Sequence, residues 1–446
     1  MTTMKMRTLV AGLIAVFLAS AGAARGGDAG GPIRVEVVRT DDGYELRRGG
    51  EPFLVRGVGG AYRMDLLAES GGNAVRTWGQ HEVDRTHVGD DGVERTLLDH
   101  AHRLGLAVCA GFWMQHPRHG FDYGDERAVE EQLRALERWV RAHKDHPAVL
   151  VWGLGNEVEI NADVREVFPH LNDAARLVKS IDPDHPTMIV ISELGEDQSK
   201  VRAFMELCPD VDILGINAYG GLPTVAARLD EAGFDRPFMV TEYGHLGPWE
   251  VDTSSWGAPK EPTSTEKADR LAEGFDVTLL DERGRCVGGF AFLWGHKQER
   301  TSTWFGIFLD TGERTAMHDV LVRKWTGAWP ENRAPAIEPV SFHPARDATE
   351  PRVVAPGARV GLGVRASDPD GDALRHEWVL RRESWDHRVG GDREQAPPEV
   401  PGRIDGADGP RATLRAPEEP GEYRVFVFVY DGRGAAATAN AAFLVR

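Results

Sequence analysis

Cysteine is nearly absent. The 446 residues hold three, Cys109, Cys208 and Cys286, and an odd, sparse set cannot build the disulfide framework of a small secreted scaffold. Positive charge is in deficit: 52 Lys and Arg stand against 70 Asp and Glu, a net charge of −18. No basic stripe offsets that field, which excludes nucleic acid as a partner. Beyond the N-terminal segment no run is apolar enough to span a bilayer. Heptads and internal repeats are missing, which excludes coiled coils and solenoids. A phosphate-binding loop is lacking as well. Gly57-Val58-Gly59-Gly60 has neither the spacing nor the acidic partner of a dinucleotide fingerprint. His116 and His119 flank Pro117, but no third ligand stands at metal-site spacing. Neither a cofactor nor a metal is therefore expected, and no partner protein is indicated.

What is present is a chain able to bury a large core, with 41% hydrophobic and 27% charged residues. Its length suits one large domain and one smaller one. Lys5 and Arg7 precede the apolar run Leu9–Leu18 and the small residues Ala19–Ala24. That plan predicts a signal peptide over residues 1–24, a secreted or periplasmic protein, and no stable membrane insertion after cleavage.

From residue 33 to 335 short apolar runs alternate with amphipathic ones. The runs are Phe53–Gly57, Asn73–Trp78, Leu106–Met114, Val149–Leu154, Thr187–Ser192, Ile213–Tyr219, Phe238–Glu242 and Gly288–Trp294. They read as strands buried on both faces. Between them apolar residues recur at helical spacing, as in Val129, Leu133, Leu136 and Val140, or Val164, Phe168, Leu171, Ala175 and Val178. Thr263-Ser264-Thr265-Glu266 can act as a capping box for the stripe Ala268, Leu271, Phe275 and Leu279. Eight strands with intervening one-sided helices predict an α/β fold, a closed (β/α)8 TIM barrel over residues 25–334. After the linker Trp329–Pro335 the helical period vanishes. Val360–Arg365, Leu374–Leu380, Arg411–Leu414, Tyr423–Tyr430 and Ala436–Val445 predict a small all-β sandwich over residues 335–446. Asp368-Pro369-Asp370-Gly371-Asp372 resembles the acidic turns of cadherin-like and polycystic-kidney-disease-type domains. It reads either as a calcium loop or as a turn with Asp and Gly for backbone reasons.

In such a barrel the reactive residues gather at the C-terminal strand ends. The fourth run ends in Asn156-Glu157 and the seventh in Glu242, with Arg76 near the end of the second. A carboxylate desolvated among Trp and Gly holds a proton near neutrality. A second one paired with a cation stays ionised and can attack. Cleavage of a glycosidic bond requires that division of labour. Ten of the twelve tryptophans precede residue 335, and Trp78, Trp113 and Trp304 read as sugar platforms or as core.

The ordered set Asn73–Gly79, Trp152–Glu157, Asn217-Ala218-Tyr219, Thr241–Gly244 and Phe292–Gly295 resembles the retaining clan of glycoside hydrolases that holds families 2 and 5, most closely the barrel domain of family 2. The resemblance implies Glu157 as acid/base and Glu242 as nucleophile. It further implies that Asn156 holds the hydroxyl beside the anomeric carbon, that Arg76 and Tyr219 orient Glu242, and that Trp294 forms the floor under the sugar. The sequence departs from family 2 in lacking the β-domains that usually precede its barrel, which suggests an open cleft for a polysaccharide. The expected function is retaining hydrolysis of β-linked glycans, with β-glucan as the leaning. A transglycosylase using the same two glutamates and a non-catalytic glycan-binding protein remain as alternatives. The expected partner is an oligo- or polysaccharide substrate.

Overall fold

The computed structural model describes residues 31–89, 91–195, 197–279, 284–343 and 352–446. The expected signal peptide lies outside them. No described helix is long and apolar enough to cross a membrane.

Eight parallel strands close into a barrel: Val55–Gly59, Ala74–Arg76, Ala107–Phe112, Val149–Leu154, Thr187–Ser192, Ile213–Asn217, Phe238–Tyr243 and Cys286–Ala291. Each overlaps the run expected for it. The runs are apolar throughout because both faces are covered. Along the fifth strand Met188 and Val190 join the cluster that fills the barrel, while Ile189 and Ile191 pack outward with the helices. The helices form where the apolar stripes lie, Glu126–His143 and Val164–Ile181 among them, each opened by an Asp that accepts backbone N–H bonds. Thr263 and Glu266 form the expected capping box for Ser264–Gly274.

A meander of Val35–Thr40, Gly43–Arg48 and Glu51–Pro52 precedes the barrel. Its Val35 and Leu46 join the apolar cluster inside the barrel. The sequence reading missed this element, because its half-buried strands carry charged residues at most outward positions and no clean alternation.

Past the barrel two four-stranded sheets pack face to face, Ser341–His343, Arg359–Gly363, Arg411–Arg415 and Ile404–Asp405 against Val353–Val354, Ala436–Val445, Gly421–Tyr430 and Arg375–Arg382. Their inner residues, among them Leu362, Leu414, Trp378, Val425, Val427 and Phe443, make a separate core. The seam between sandwich and barrel is polar and buried. Glu261 accepts from Lys267 Nζ at 2.5 Å and from Asn440 Nδ2 at 2.7 Å. Arg424, 1% exposed, donates to the Pro259 carbonyl at 2.8 Å. The Thr438 N–H donates to Ser264 Oγ at 2.9 Å and the Ile337 N–H to Thr265 Oγ1 at 2.8 Å. None of the three cysteines is in a disulfide and all are buried, and burial pushes the Cys109 and Cys208 thiols up to about 12.

Candidate active site

A cavity of about 650 Å³ opens at the C-terminal ends of the strands, and both Glu157 and Glu242 line it. Glu242 closes the seventh strand, and every hydrogen bond its carboxylate makes is an accepted one. Arg76 Nη1 donates to Oε1 at 2.9 Å, Trp78 Nε1 to the same oxygen at 2.8 Å, and Tyr219 Oη to Oε2 at 2.6 Å. Arg76 is only 2% exposed, so this pair works in a medium where charge attraction is weakly screened. Burial and the neighbouring Glu242 raise the Tyr219 phenol well above its usual range, which keeps the donor protonated.

Glu157 follows a tight turn off the fourth strand. Gly155 has φ 82 and Glu157 itself φ 51, a left-handed conformation unusual for a residue with a Cβ. Its N–H is held by the Val190 carbonyl at 2.9 Å. Burial, and then the charge of Glu242, raise its carboxyl to about 8. The environment thus favours the proton on Glu157, as a group that must donate one requires.

One amide ties Glu157 to the residues that hold Glu242. Asn217 Nδ2 donates to Glu157 Oε1 at 2.8 Å and to Asn156 Oδ1 at 3.1 Å, while its own Oδ1 accepts from Thr241 at 2.8 Å. Asn156 Oδ1 also accepts from Arg76 Nη2 at 2.7 Å. With both lone pairs of that oxygen used, the amide orientation of Asn156 is set and its NH2 is left to donate into the cavity.

The expected residues do not all gather there. Trp78 and Trp113 line the cavity, Trp113 stacked on His116 at 4.5 Å. His116 is buried, which lowers it to about 3. Trp294 is not a floor under the site. It is 1% exposed and packs against Phe308, His318 and Trp325. At this strand end Phe292 and Leu293 line the cavity instead. Trp304 is likewise no platform: it is fully buried, its Nε1 donating to the Leu246 carbonyl at 3.0 Å. Trp294→Ala is therefore expected to lower folding stability by about 3–5 kcal/mol in urea titration, whereas Phe292→Ala should act on KM. The indole of Trp152, expected beside Glu157, instead donates to Asp182 on the helix side.

Glu159 is structural, taking bonds from Ser192 and Lys200. Glu193 lines the cavity and pairs with Arg228 at 2.9 Å. Trp249, in the loop after Glu242, is 63% exposed and also lines the cavity. The carboxylates of Asp368, Asp370 and Asp372 lie together, with Asp368 Oδ1 accepting the N–H groups of Asp370 and Asp372 at 2.8 and 3.1 Å. That is the bonding of a backbone turn. Sequence reasoning missed the roles of Asn217 and Thr241, although Asn217 stood in a matching motif. It also missed that Arg388–Asp392 of the sandwich line the same cavity.

Residues 64–268 match the family model "Glycosyl hydrolases family 2, TIM barrel domain". A β-glucuronidase of Chlorocebus aethiops is 22% identical over 289 residues, 59% of this chain and 41% of that protein. A β-galactosidase of Lactococcus lactis is 28% identical over 162 residues, 35% of this chain and 14% of that protein. The chain thus spans less than half the length of these relatives. Among solved structures, a Bacteroides uniformis β-glucuronidase aligns over 92% of this chain and 48% of its own, with 14% identity and a TM-score of 0.46.

Proposed function

Taking residues 64–268 as a family 2 glycosyl hydrolase barrel, we propose that the protein hydrolyses β-glycosidic bonds with retention, by double displacement. The observation that carries this is the contrast between two carboxylates in one cavity. Glu242 is gripped by three donors, and Glu157 is raised by burial.

Glu157 would protonate the glycosidic oxygen while Glu242 attacks the anomeric carbon, so that the C–O bond breaks as a glycosyl ester forms. Glu157, now a carboxylate, would take a proton from water, which attacks the same carbon and returns Glu242. Arg76 and Tyr219 hold the attacking oxygens, and the Asn156 amide donates to the hydroxyl beside the reacting carbon. The alternation asked of Glu157 is served by Asn217, which remains a donor to it in both protonation states.

The test is a panel of 4-nitrophenyl β-D-glucoside, β-D-galactoside, β-D-mannoside and β-D-glucuronide with soluble β-glucans, mannans, galactans and xylans. β-Glucuronides belong in it because Lys297, Arg300 and Arg388 line the same cavity and could face a carboxylate. The anomer formed first, read by proton NMR, is expected to keep the β configuration. An α product would sink the double displacement.

A further inference from the structure

We propose that residues 383–398 of the sandwich form a wall of the catalytic cavity, with the tip Arg388–Asp392 touching the bound sugar and limiting the length of glycan that enters. This rests on the glycosidase reading above.

The segment joins two strands of different sheets, and the structure holds it at its base, its foot and its tip. At the base the backbones of Arg381 and Glu399 pair antiparallel, and the Val400 N–H donates to the Leu380 carbonyl at 2.8 Å. At the foot the buried Arg424 binds Glu383 through Nε at 3.0 and 3.1 Å and reaches the barrel through Pro259. Inside the loop Asp386 accepts from Arg388 Nε at 2.6 Å and from the Gln395 N–H at 3.0 Å.

The tip then docks on two separate barrel loops. Asp392 pairs with Arg118 at 3.3 Å and with His119 at 2.9 Å, both following the third strand. Glu394 accepts the N–H of Arg300, which follows the eighth strand, at 2.6 Å. The loop therefore reaches across the ends of the first and second strands. Gly390 and Gly391 make the turn at the tip possible. Both have left-handed backbones, φ 65 and 73. A Cβ on the first would come within 2.8 Å of the Arg118 guanidinium carbon, and on the second within 2.9 Å of Lys297 Nζ.

The position of this wall follows from the chemistry. A leaving group lies beside the proton donor Glu157. The sugar attacked by Glu242, with anything attached to its far end, extends the other way, past Trp78 and Trp113 to Arg388–Asp392. All of these residues line one cavity. A wall there admits a terminal unit and stops a continuing chain. The sandwich is thus part of the active site, and the open cleft expected from the sequence is closed on this side.

Three variants test this: Asp392→Ala, which cuts the tip's tether; Val389→Trp, which puts bulk at the tip; and replacement of residues 387–393 by Gly-Ser-Gly. The probes are 4-nitrophenyl β-D-glucoside, β-D-galactoside and β-D-glucuronide, with a soluble β-glucan as polymer. Asp392→Ala, which loosens the wall, and Val389→Trp, which crowds the sugar, are expected to raise KM for the hydrolysed glycoside about tenfold with kcat within about twofold, since both weaken binding and leave the glutamates in place. The trimmed loop is expected to shift polymer products from single sugars toward longer fragments. Unchanged KM in both folded point variants, with wild type active, overturns the wall alone. A wild type silent on every probe overturns the glycosidase reading and the wall with it. The point variants decide the matter even if the trimmed chain fails to fold.

Discussion

Glu242→Ala is expected to lower kcat by at least about 10⁴-fold, a loss of about 5.4 kcal/mol of transition-state stabilisation. Added azide should restore part of the rate and yield an α-glycosyl azide from a β-glycoside. The rescue follows from what remains behind. Arg76, Trp78 and Tyr219 would surround an empty space with donors, and a small anion can enter it and attack the anomeric carbon from the same face. The deletion also leaves the buried Arg76 guanidinium unpaired, at a cost of about 3–5 kcal/mol in stability. Folding must therefore be followed by denaturation beside the kinetics. Glu242→Gln, which keeps an oxygen for Arg76, separates lost chemistry from lost fold. Full turnover of a natural glycoside by the alanine variant would remove Glu242 from the mechanism.

Glu157→Ala should divide substrates by their leaving groups. Glycosides with sugar leaving groups are expected to slow by about 10²–10⁴-fold, while those with acidic phenols, whose oxygens leave without a proton, should be spared at the first step. The pH dependence has a definite sign. The protonated form of Glu157 is the active one in bond cleavage, and its carboxyl is raised to about 8. Activity of the wild type should therefore persist through neutrality and fall as pH rises through about 8. In Glu157→Gln that basic limb should vanish from kcat/KM. A limb that persists unchanged in the glutamine variant would assign it to another group.

Much of the barrel was legible because both faces of each strand are covered, and a strand with two dry faces is written as an unbroken apolar run. Val149–Leu154 and Thr187–Ser192 match their expected bounds for that reason. The contact of Arg76 with Glu242 was legible too, since charge sign and strand-end position require no detailed geometry. Trp294 was misread because the residues after the eighth strand divide between cavity and core, and composition alone does not tell Phe292 from Trp294 there. Asn217 showed as a motif residue, yet its double donation depends on angles that spacing does not encode. The loop over the cavity was beyond reach, since Arg118 and Asp392 meet across 274 residues and a Gly-Gly turn reads the same whether it faces water or another domain.

The buried polar seam bears on what counts as the unit of inheritance. Lys267 of the barrel and Asn440 of the sandwich share one carboxylate, Glu261. A barrel cut free of its sandwich would lose the Asn440 donor to Glu261 and leave the Ser264 and Thr265 hydroxyls without the N–H groups of Thr438 and Ile337. Such a seam resists recombination, because a foreign sandwich would need to supply the same partners at the same places. The family match ends at residue 268, yet the buried partners of that seam make the barrel and the sandwich grown onto it one unit of stability.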